Sequence, residues 1–276
     1  MMTNDIPKRK DGGIRWDFRP VNQEELEACL KDPLWRVCSG VLYKIIIKGD
    51  DGQDGLVINF KPNRSQRRLL ANLWHRNVIL KARQLGFTTL ICILWLDTAL
   101  FSENVRCGII AQDREAAEVI FRDKVKFAYE NLPENLKSAM PLARDSASEL
   151  LFAHNNSSIR VATSMRSGTI HRLHISEFGK ICAKYPEKAK EVVTGSIPAV
   201  PKNGILIIES TAEGREGEFY DITMRAKSAK ESGKDLTVRD YRFHFFAWWD
   251  ANEYEMPADS VKLTDKDNAY FERIES

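Results

Sequence analysis

Residues 77–96 read NVILKARQLGFTTLICILWL, and this stretch decides the fold class. Four residues of strand type are followed by a short loop that contains Gly86, after which Thr88 and Thr89 begin an apolar helix. A strand, a glycine loop and a helix in this order can direct backbone N–H groups at a phosphate bound to the helix N-terminus. A hydroxyl in the first helical turn can then bind Mg²⁺.

The segment matches the common phosphate-loop pattern GxxxxGK[ST] only in part. Gly86 and Thr88 fit, whereas Phe87 occupies the usual lysine position and Lys81 that of the first glycine. Because a lysine side chain is long and flexible, Lys81 can still reach the phosphates from the start of the loop, and Arg83 can add a second cation. The alternative is an ordinary strand-to-helix turn with two solvated cations.

Further apolar runs, each followed by a loop and a helical pattern, are typical of parallel βα units. They are RCGIIA (106–111), RLHIS (172–176) and GILIIES (204–210). Residues 113–133 predict a crossover helix that is capped by Asp113 and ends before Pro133. The pattern predicts an α/β fold of the P-loop NTPase (RecA/ASCE-like) class, with a mostly parallel sheet flanked by helices.

Three other segments predict additions to this sheet. Residues 149–164 read as an antiparallel hairpin that turns at Asn155 and Asn156. Residues 43–60 read as a second hairpin with an acidic turn, and residues 237–250 as a last, buried strand that becomes wholly aromatic. Before them, residues up to about Arg15 read as a polar, mobile arm, and a helix begins near Asn22, so we expect a small N-terminal appendage.

A carboxylate is expected at the end of the RLHIS strand. An ATPase of this class needs an acidic residue there to orient and deprotonate the attacking water, and Glu177 is the candidate. An aspartate usually precedes that glutamate and holds Mg²⁺, but Ser176 stands here. The alternative is a solvent-exposed carboxylate after a strand. ESTAEG (209–214) places Ser210, Thr211 and Glu213 at the same predicted sheet edge, which favours a nucleotide site.

Composition adds constraints on the class of protein. Lys and Arg total 41 against 39 acidic residues, so the net charge of +2 does not by itself indicate a nucleic-acid binder. The five cysteines form no CxxC pair, which favours reduced thiols over a disulfide framework or a zinc site. No apolar run follows the basic start, and the apolar residues 88–101 are too few to span a bilayer, so a soluble protein without a membrane partner is expected.

The motifs FKPNRSQRRLL (60–70), KARQLGFTT (81–89), LHISEFGK (173–180) and ESTAEG, in this order, resemble the ATPase domain of the large terminase subunit of tailed bacteriophages over about residues 55–250. The resemblance implies ATP and Mg²⁺ as cofactors, Gln66 as the adenine contact and Glu177 as the hydrolytic base. It also implies a magnesium site at Thr88, Ser176 and Glu177. The other nucleotide-binding residues that it implies are Lys81, Ala82, Arg83, Gln84, Leu85, Gly86, Phe87, Thr88, Thr89, Ser210 and Thr211, the last two coupling hydrolysis to movement.

The family is similar to ring translocases that take an arginine from the neighbouring subunit. SMRSGTIHR (164–172) resembles the source of that arginine, which favours Arg166, with Arg172 and Arg215 as rivals and a plain surface arginine as the alternative. The implied partners are double-stranded DNA, the portal protein and the small terminase subunit. A homo-oligomeric ring is expected on assembly, and a monomer in isolation remains open. The resemblance also implies that the protein acts in the host cell cytoplasm and is not part of the mature virion.

The resemblance predicts three parts of the chain: an N-terminal arm, helix and hairpin start (1–54), the ATPase domain (55–250), and a tail or linker toward an absent nuclease domain (251–276). Arg64, Arg67 and Arg68 are equally well explained as a charged helix face, so no DNA-binding residue is assigned. Two other functions remain open. One is a helicase or remodelling ATPase, and the other is a nucleotide-binding scaffold with little hydrolysis.

Overall fold

The computed structural model describes residues 6–47, 55–166, 168–251, 254 and 261–275. The strands are β1 (Lys44–Ile47), β2 (Leu56–Asn59), β3 (Arg76–Lys81), β4 (Arg106–Ile110), β5 (Leu142–Asp145), β6 (Glu149–Phe152), β7 (Ser158–Ala162), β8 (Arg172–Ser176), β9 (Ile205–Ser210) and β10 (Tyr241–Phe246). The helices are α1 (Gln23–Lys31), α2 (Pro33–Cys38), α3 (Arg64–Ala71), α4 (Phe87–Phe101), α5 (Arg114–Ile120), α6 (Phe127–Glu130), α7 (Glu134–Ala139), α8 (Phe178–Lys184), α9 (Pro186–Glu191), α10 (Gly217–Glu231) and α11 (Asp265–Glu275).

One eight-stranded sheet organises the chain, with the strand order β10-β3-β9-β8-β4-β7-β6-β5. The first six strands in this order are parallel, and β6 and β5 continue the sheet in antiparallel fashion. The predicted α/β fold with a mostly parallel sheet is therefore confirmed. The predicted first hairpin is also present, because β1 and β2 form a separate antiparallel pair. Its expected acidic turn lies outside the described residues.

The sheet is covered on both faces, and consecutive strand residues alternate between the two sides. Ile79, Ile109 and Ile207 pack in one apolar cluster with α4, α5 and α6. Their neighbours along each strand, such as Ile110 and Ile208, pack in a second cluster with α8, α9 and α10. Side chains two residues apart on a strand therefore share a face.

The predicted crossover helix and the predicted second hairpin are both present in the structure, and the helix has one irregularity. Asp113 accepts a hydrogen bond from the Ala116 N–H at 2.8 Å, which confirms the cap. The helix is not uniform, because a π-helical segment, Phe121–Lys126, joins α5 to α6. The β6–β7 turn contains Asn156 at φ 55°, the left-handed conformation expected there. A similar π-helical segment, Val192–Ser196, follows α9.

The last strand differs from its prediction. β10 lies at the edge of the sheet, where it pairs with β3 alone among the described strands, and Phe245 is 45% exposed. Aromatic composition therefore indicated a strand correctly but not its burial. The order of the strands in the sheet could not be predicted from the sequence, and that order decides whether a strand has a neighbour on both sides.

The N-terminal residues are docked, in contrast to the expected mobile arm. Asp32 accepts a hydrogen bond from the Ile14 N–H at 2.6 Å and pairs with Arg9 at 3.1 Å. Ile14 is buried beside Trp35 of α2. The described part of the predicted arm is therefore held by the α1–α2 junction.

A buried ion pair fastens α2 to α4. Arg36 donates two hydrogen bonds to Asp97, at 2.9 and 2.7 Å, and the Tyr43 hydroxyl donates a third at 2.7 Å.

All five cysteines, which lie within the described residues, are free. No helix in the described ranges is long and apolar enough to cross a membrane.

Candidate active site

The loop between β3 and α4 has the backbone of an anion-binding turn. Gln84 at φ 57° and Gly86 at φ 71° adopt left-handed conformations on either side of Leu85. Alternation of this kind lets successive N–H groups converge on an anion at a helix N-terminus. No described side chain caps α4. The φ of Gly86 favours glycine, and a Cβ there would lie 2.7 Å from Gln66 Nε2, so the Gln66 side chain would have to move.

Phe87 turns away from this loop. Its side chain is buried, and its ring centroid lies 4.5 Å from that of Phe246. The side chain in the usual lysine position therefore belongs to the core, and only its backbone could meet a phosphate. Leu85 is buried in the same apolar cluster.

Lys81 supplies the cation at the head of the loop. Its Nζ lies 3.0 Å from Glu177 Oε1 and 3.1 Å from Glu209 Oε2. Lys81 ends β3 and Glu177 directly follows β8, so the carboxyl ends of these strands bring the two predicted residues together as the sheet-edge rule requires.

Glu209 is the residue that the sequence analysis missed. Its side chain is 0% exposed, and its Oε1 accepts hydrogen bonds from Ser176 Oγ at 2.8 Å and Thr88 Oγ1 at 3.1 Å. His174 Nε2 lies 3.4 Å from the same oxygen. The available signal was a charged residue inside the apolar run ILIIES, two positions after Ile207, which places it on the α4 face.

The charges of the cluster support one another. Burial alone would raise the pKa of Glu209, but His174, Lys81 and the Ser176 hydroxyl lower it to about 2. Burial alone would lower the pKa of Lys81, but the carboxylates of Glu209 and Glu177 raise it above its usual value. A buried ammonium between two carboxylates therefore remains charged.

The backbone at Glu177 is strained. Glu177 has φ 54° and ψ 45°, the left-handed region, at the junction of β8 and α8. A residue with a Cβ costs about 1–2 kcal/mol there relative to the right-handed region. Strain of this kind persists where the surroundings hold it, and here Lys81 and Lys180 hold the carboxylate, with Lys180 Nζ 3.3 Å from Oε2.

The donor set fits magnesium. The Thr88 hydroxyl and the carboxylate of Glu209, which are hydrogen-bonded to each other, are hard oxygen donors, and magnesium in proteins is commonly held by one or two carboxylates with phosphates and water. Ser210 Oγ is buried without a hydrogen-bond partner among the described residues, and it lies on the other face of the sheet from Glu209, near Gly179 of α8. Thr211 Oγ1 lies beside it and donates to Glu213 Oε1 at 3.3 Å.

Gln66 lies under the phosphate loop. Its Oε1 accepts from the Asn63 N–H at 2.9 Å, and its Nε2 donates to the Gly86 carbonyl at 2.8 Å. The side chain thus supports the loop, and its contact with adenine stays a prediction. Thr89 is also engaged, because its hydroxyl accepts a hydrogen bond from Lys124 at 2.9 Å.

The three arginine candidates lie in different places. Arg166 follows β7 and is paired with Glu191, although its side chain remains 68% exposed. Arg215 lies in the exposed loop after β9, at the same sheet edge as Glu177. Arg172 begins β8, so it lies at the opposite edge, half-buried. Arg166 and Arg215 are therefore the accessible candidates near this edge.

Solved structures that resemble the chain include two phage terminases. The large terminase ATPase domain of Thermus phage P74-26 aligns with a TM-score of 0.50 at 18% identity, over 69% of this chain and 83% of that domain. The large terminase of bacteriophage HK97 aligns with a TM-score of 0.55 at 16% identity, over 84% of this chain. The chain has the fold of a phage large terminase ATPase domain.

This terminase fold is recognised through structure. No family model matches the sequence, and no similar sequence was found among curated proteins. The chain spans 46% of the HK97 large terminase, a little under half of that protein. The resemblance expected from the motifs is confirmed at the level of the fold.

Proposed function

We propose that the protein hydrolyses ATP and that the hydrolysis drives double-stranded DNA into a viral procapsid. The observation that carries the proposal is the 3.0 Å contact between Lys81 and Glu177 beside a phosphate loop. An entering triphosphate would compete for the lysine, because phosphate oxygens carry more charge than one carboxylate. The released Glu177 would then orient and deprotonate the attacking water.

Other residues have supporting roles in this proposal. The loop amides and Lys81 would hold the β- and γ-phosphates, Arg83 would add an exposed cation, and Thr88 would hold the magnesium. Bound magnesium would neutralise the charge that develops on the transferring phosphoryl group. Ser210 would couple the γ-phosphate to the loop that follows β9.

The test is to separate nucleotide binding from hydrolysis. Glu177→Gln should keep binding of a fluorescent ATP analogue while lowering the hydrolysis rate at least about a hundredfold. Lys81→Met should weaken binding and hydrolysis together. The matched control is Phe87→Leu, which keeps an apolar side chain in the core and should retain both. Wild-type protein that binds no nucleotide would refute the proposal.

The same assay distinguishes the two other functions. A scaffold would bind nucleotide without measurable hydrolysis even at high protein concentration. A helicase or remodelling ATPase would be stimulated by single-stranded rather than double-stranded DNA. The terminase-like fold favours the packaging motor over both. The proposed setting is the host cytoplasm, with the portal protein and the small terminase subunit as partners.

Hydrolysis in an assembled ring would use Arg166 of the neighbouring subunit. Arg166 is exposed and ends in an ion pair with Glu191 that solvent can exchange, so it is available to a neighbouring phosphate. Arg166→Ala and Glu177→Gln should each be inactive, and mixing them should restore activity if the arginine acts between subunits. Arg215→Ala is the comparison variant. If the mixture with Arg166→Ala recovers no activity and a mixture of Arg215→Ala with Glu177→Gln does, Arg215 rather than Arg166 acts between subunits.

A further inference from the structure

Ser176 leaves the end of β8 without the charge that a magnesium site of this type uses. A serine hydroxyl can hold a metal-bound water, but it contributes no negative charge. Glu177, the next residue, faces Lys81 and Lys180. The charge beside Thr88 therefore has to come from another strand.

The neighbouring strand places a carboxylate opposite Ser176. In the parallel pairing of β8 with β9, Ser176 is the register partner of Glu209. Both side chains lie on the α4 face, and they are hydrogen-bonded at 2.8 Å. β9 also lies directly beside β3, which leads into the phosphate loop, so Glu209 starts one strand nearer to the loop than Ser176 does.

The contact with Thr88 indicates what this carboxylate does. Thr88 Oγ1 donates its proton to Glu209 Oε1 at 3.1 Å. A hydroxyl that donates its proton to a carboxylate keeps its lone pairs for a metal ion. A merely structural counter-ion for Lys81 would not need this bond, because Glu177 already pairs with that lysine.

We propose that Glu209 is the carboxylate that serves magnesium in this protein, transferred from the end of β8 to the neighbouring strand. This inference rests on the proposed nucleotide site. The role comprises two functions: Glu209 orients the Thr88 hydroxyl, and it supplies the negative charge that Ser176 cannot supply. His174 is also buried here, with its Nε2 3.4 Å from Oε1 of Glu209.

The experiment measures nucleotide affinity in magnesium and in EDTA. A fluorescent ATP analogue is titrated into the full chain under both conditions, and the ratio of the two affinities is the magnesium-dependent gain. Glu209→Gln should lower that gain about 10–100-fold while leaving affinity in EDTA nearly unchanged. Glu177→Gln removes the same charge from beside Lys81 and should keep the gain.

A second-site change tests the transfer itself. Ser176→Asp in the Glu209→Gln background returns a carboxylate to the end of β8 and should restore most of the magnesium-dependent gain. Circular dichroism melting of each variant shows whether it is folded, and Glu209→Gln should fold because Lys81 keeps Glu177 as a partner.

The outcomes are distinct. Wild-type protein that binds no nucleotide would defeat the proposed function itself. Wild-type protein with a clear magnesium-dependent gain that Glu209→Gln retains would overturn only the assignment of Glu209. The assignment is also overturned if Glu177→Gln loses the gain as fully as Glu209→Gln does, since any lost charge beside Lys81 would then suffice.

Discussion

Replacing Lys81 by methionine should destabilise the fold, because the lysine is the cation that two neighbouring carboxylates share. The Lys81 side chain is 7% exposed, and it contacts Glu209, which is 0% exposed, and Glu177, which is 22% exposed. Methionine fills most of the space but removes the positive charge, so both carboxylates lose their shared cation. Removing one partner of a buried ion pair typically costs about 3–5 kcal/mol.

The lower end of that range applies here. Glu209 keeps its hydrogen bonds from Ser176 and Thr88, and Glu177 keeps Lys180 at 3.3 Å. We therefore expect a loss of about 3 kcal/mol in the free energy of unfolding. For a chain of this size, that loss lowers the melting temperature by about 6–12 °C. Urea denaturation followed by circular dichroism measures the free energy directly.

The pH dependence gives the sharper signature. In the wild type the pKa of Glu209 is lowered to about 2 from 4.5, so its contribution is present above about pH 4.5 and is lost as the pH falls toward 2. Without Lys81, burial should raise this pKa above its unfolded value. Lowering the pH from about 6 to about 4 crosses the pKa of Glu209 in the unfolded state, and it should then stabilise Lys81→Met relative to the wild type.

Two controls complete this test. Lys180→Met removes a cation that is 27% exposed, and it should cost less than about 1 kcal/mol. The double variant Lys81→Met with Glu209→Gln removes the unpaired buried charge and should recover most of the loss. A Lys81→Met protein as stable as Lys180→Met, or a double variant no better than the single, would refute the reasoning.

Three further predictions concern strain, a buried pair and a buried histidine. Glu177→Gly should be more stable than Glu177→Ala by about 1 kcal/mol in urea denaturation, because φ 54° favours glycine; equal stability would exclude strain there. Asp97→Ala should cost about 3–5 kcal/mol, measured in the same way, because Arg36 is left buried without its carboxylate, and Arg36→Met with Asp97→Leu should recover much of it. Burial lowers the pKa of His244 from 6.5 to about 4, so the folded state takes up a proton on His244 only at a lower pH than the unfolded state does. Stability should fall by about 3 kcal/mol from pH 6.5 to 4 relative to His244→Phe, and parallel pH profiles of the two proteins would contradict this.

The place of Lys81 at the head of the loop could be predicted because it depended only on local order, and its role at a phosphate stays a prediction. A strand, a loop and a helix fix where a lysine at the strand end can reach, whichever strands lie beside it. Phe87 was expected only as one of the nucleotide-binding residues, and the structure buries its side chain in the core. Glu177 followed from the rule that ligands gather at the carboxyl ends of parallel strands.

Glu209 could not be placed in the same way. The run ILIIES shows a charge within an apolar strand, but its partner Ser176 is set by strand register across β8 and β9. Gln66 raises the same difficulty, because its support of Gly86 joins residues 20 positions apart through a loop conformation. The π-helical segment Phe121–Lys126 has no sequence pattern that distinguishes it from an ordinary helix turn.

The sequence by itself determined that the chain forms a parallel α/β sheet and that one edge of it carries a lysine, a glutamate and small hydroxyls. These features depend on the period of apolar residues and on chain direction, both of which are local. The tertiary structure alone decided that a second glutamate enters the cluster, that β10 is an edge strand, and that residues 6–15 are docked. Each of these depends on which distant segments become neighbours, and that is settled by packing of the whole chain.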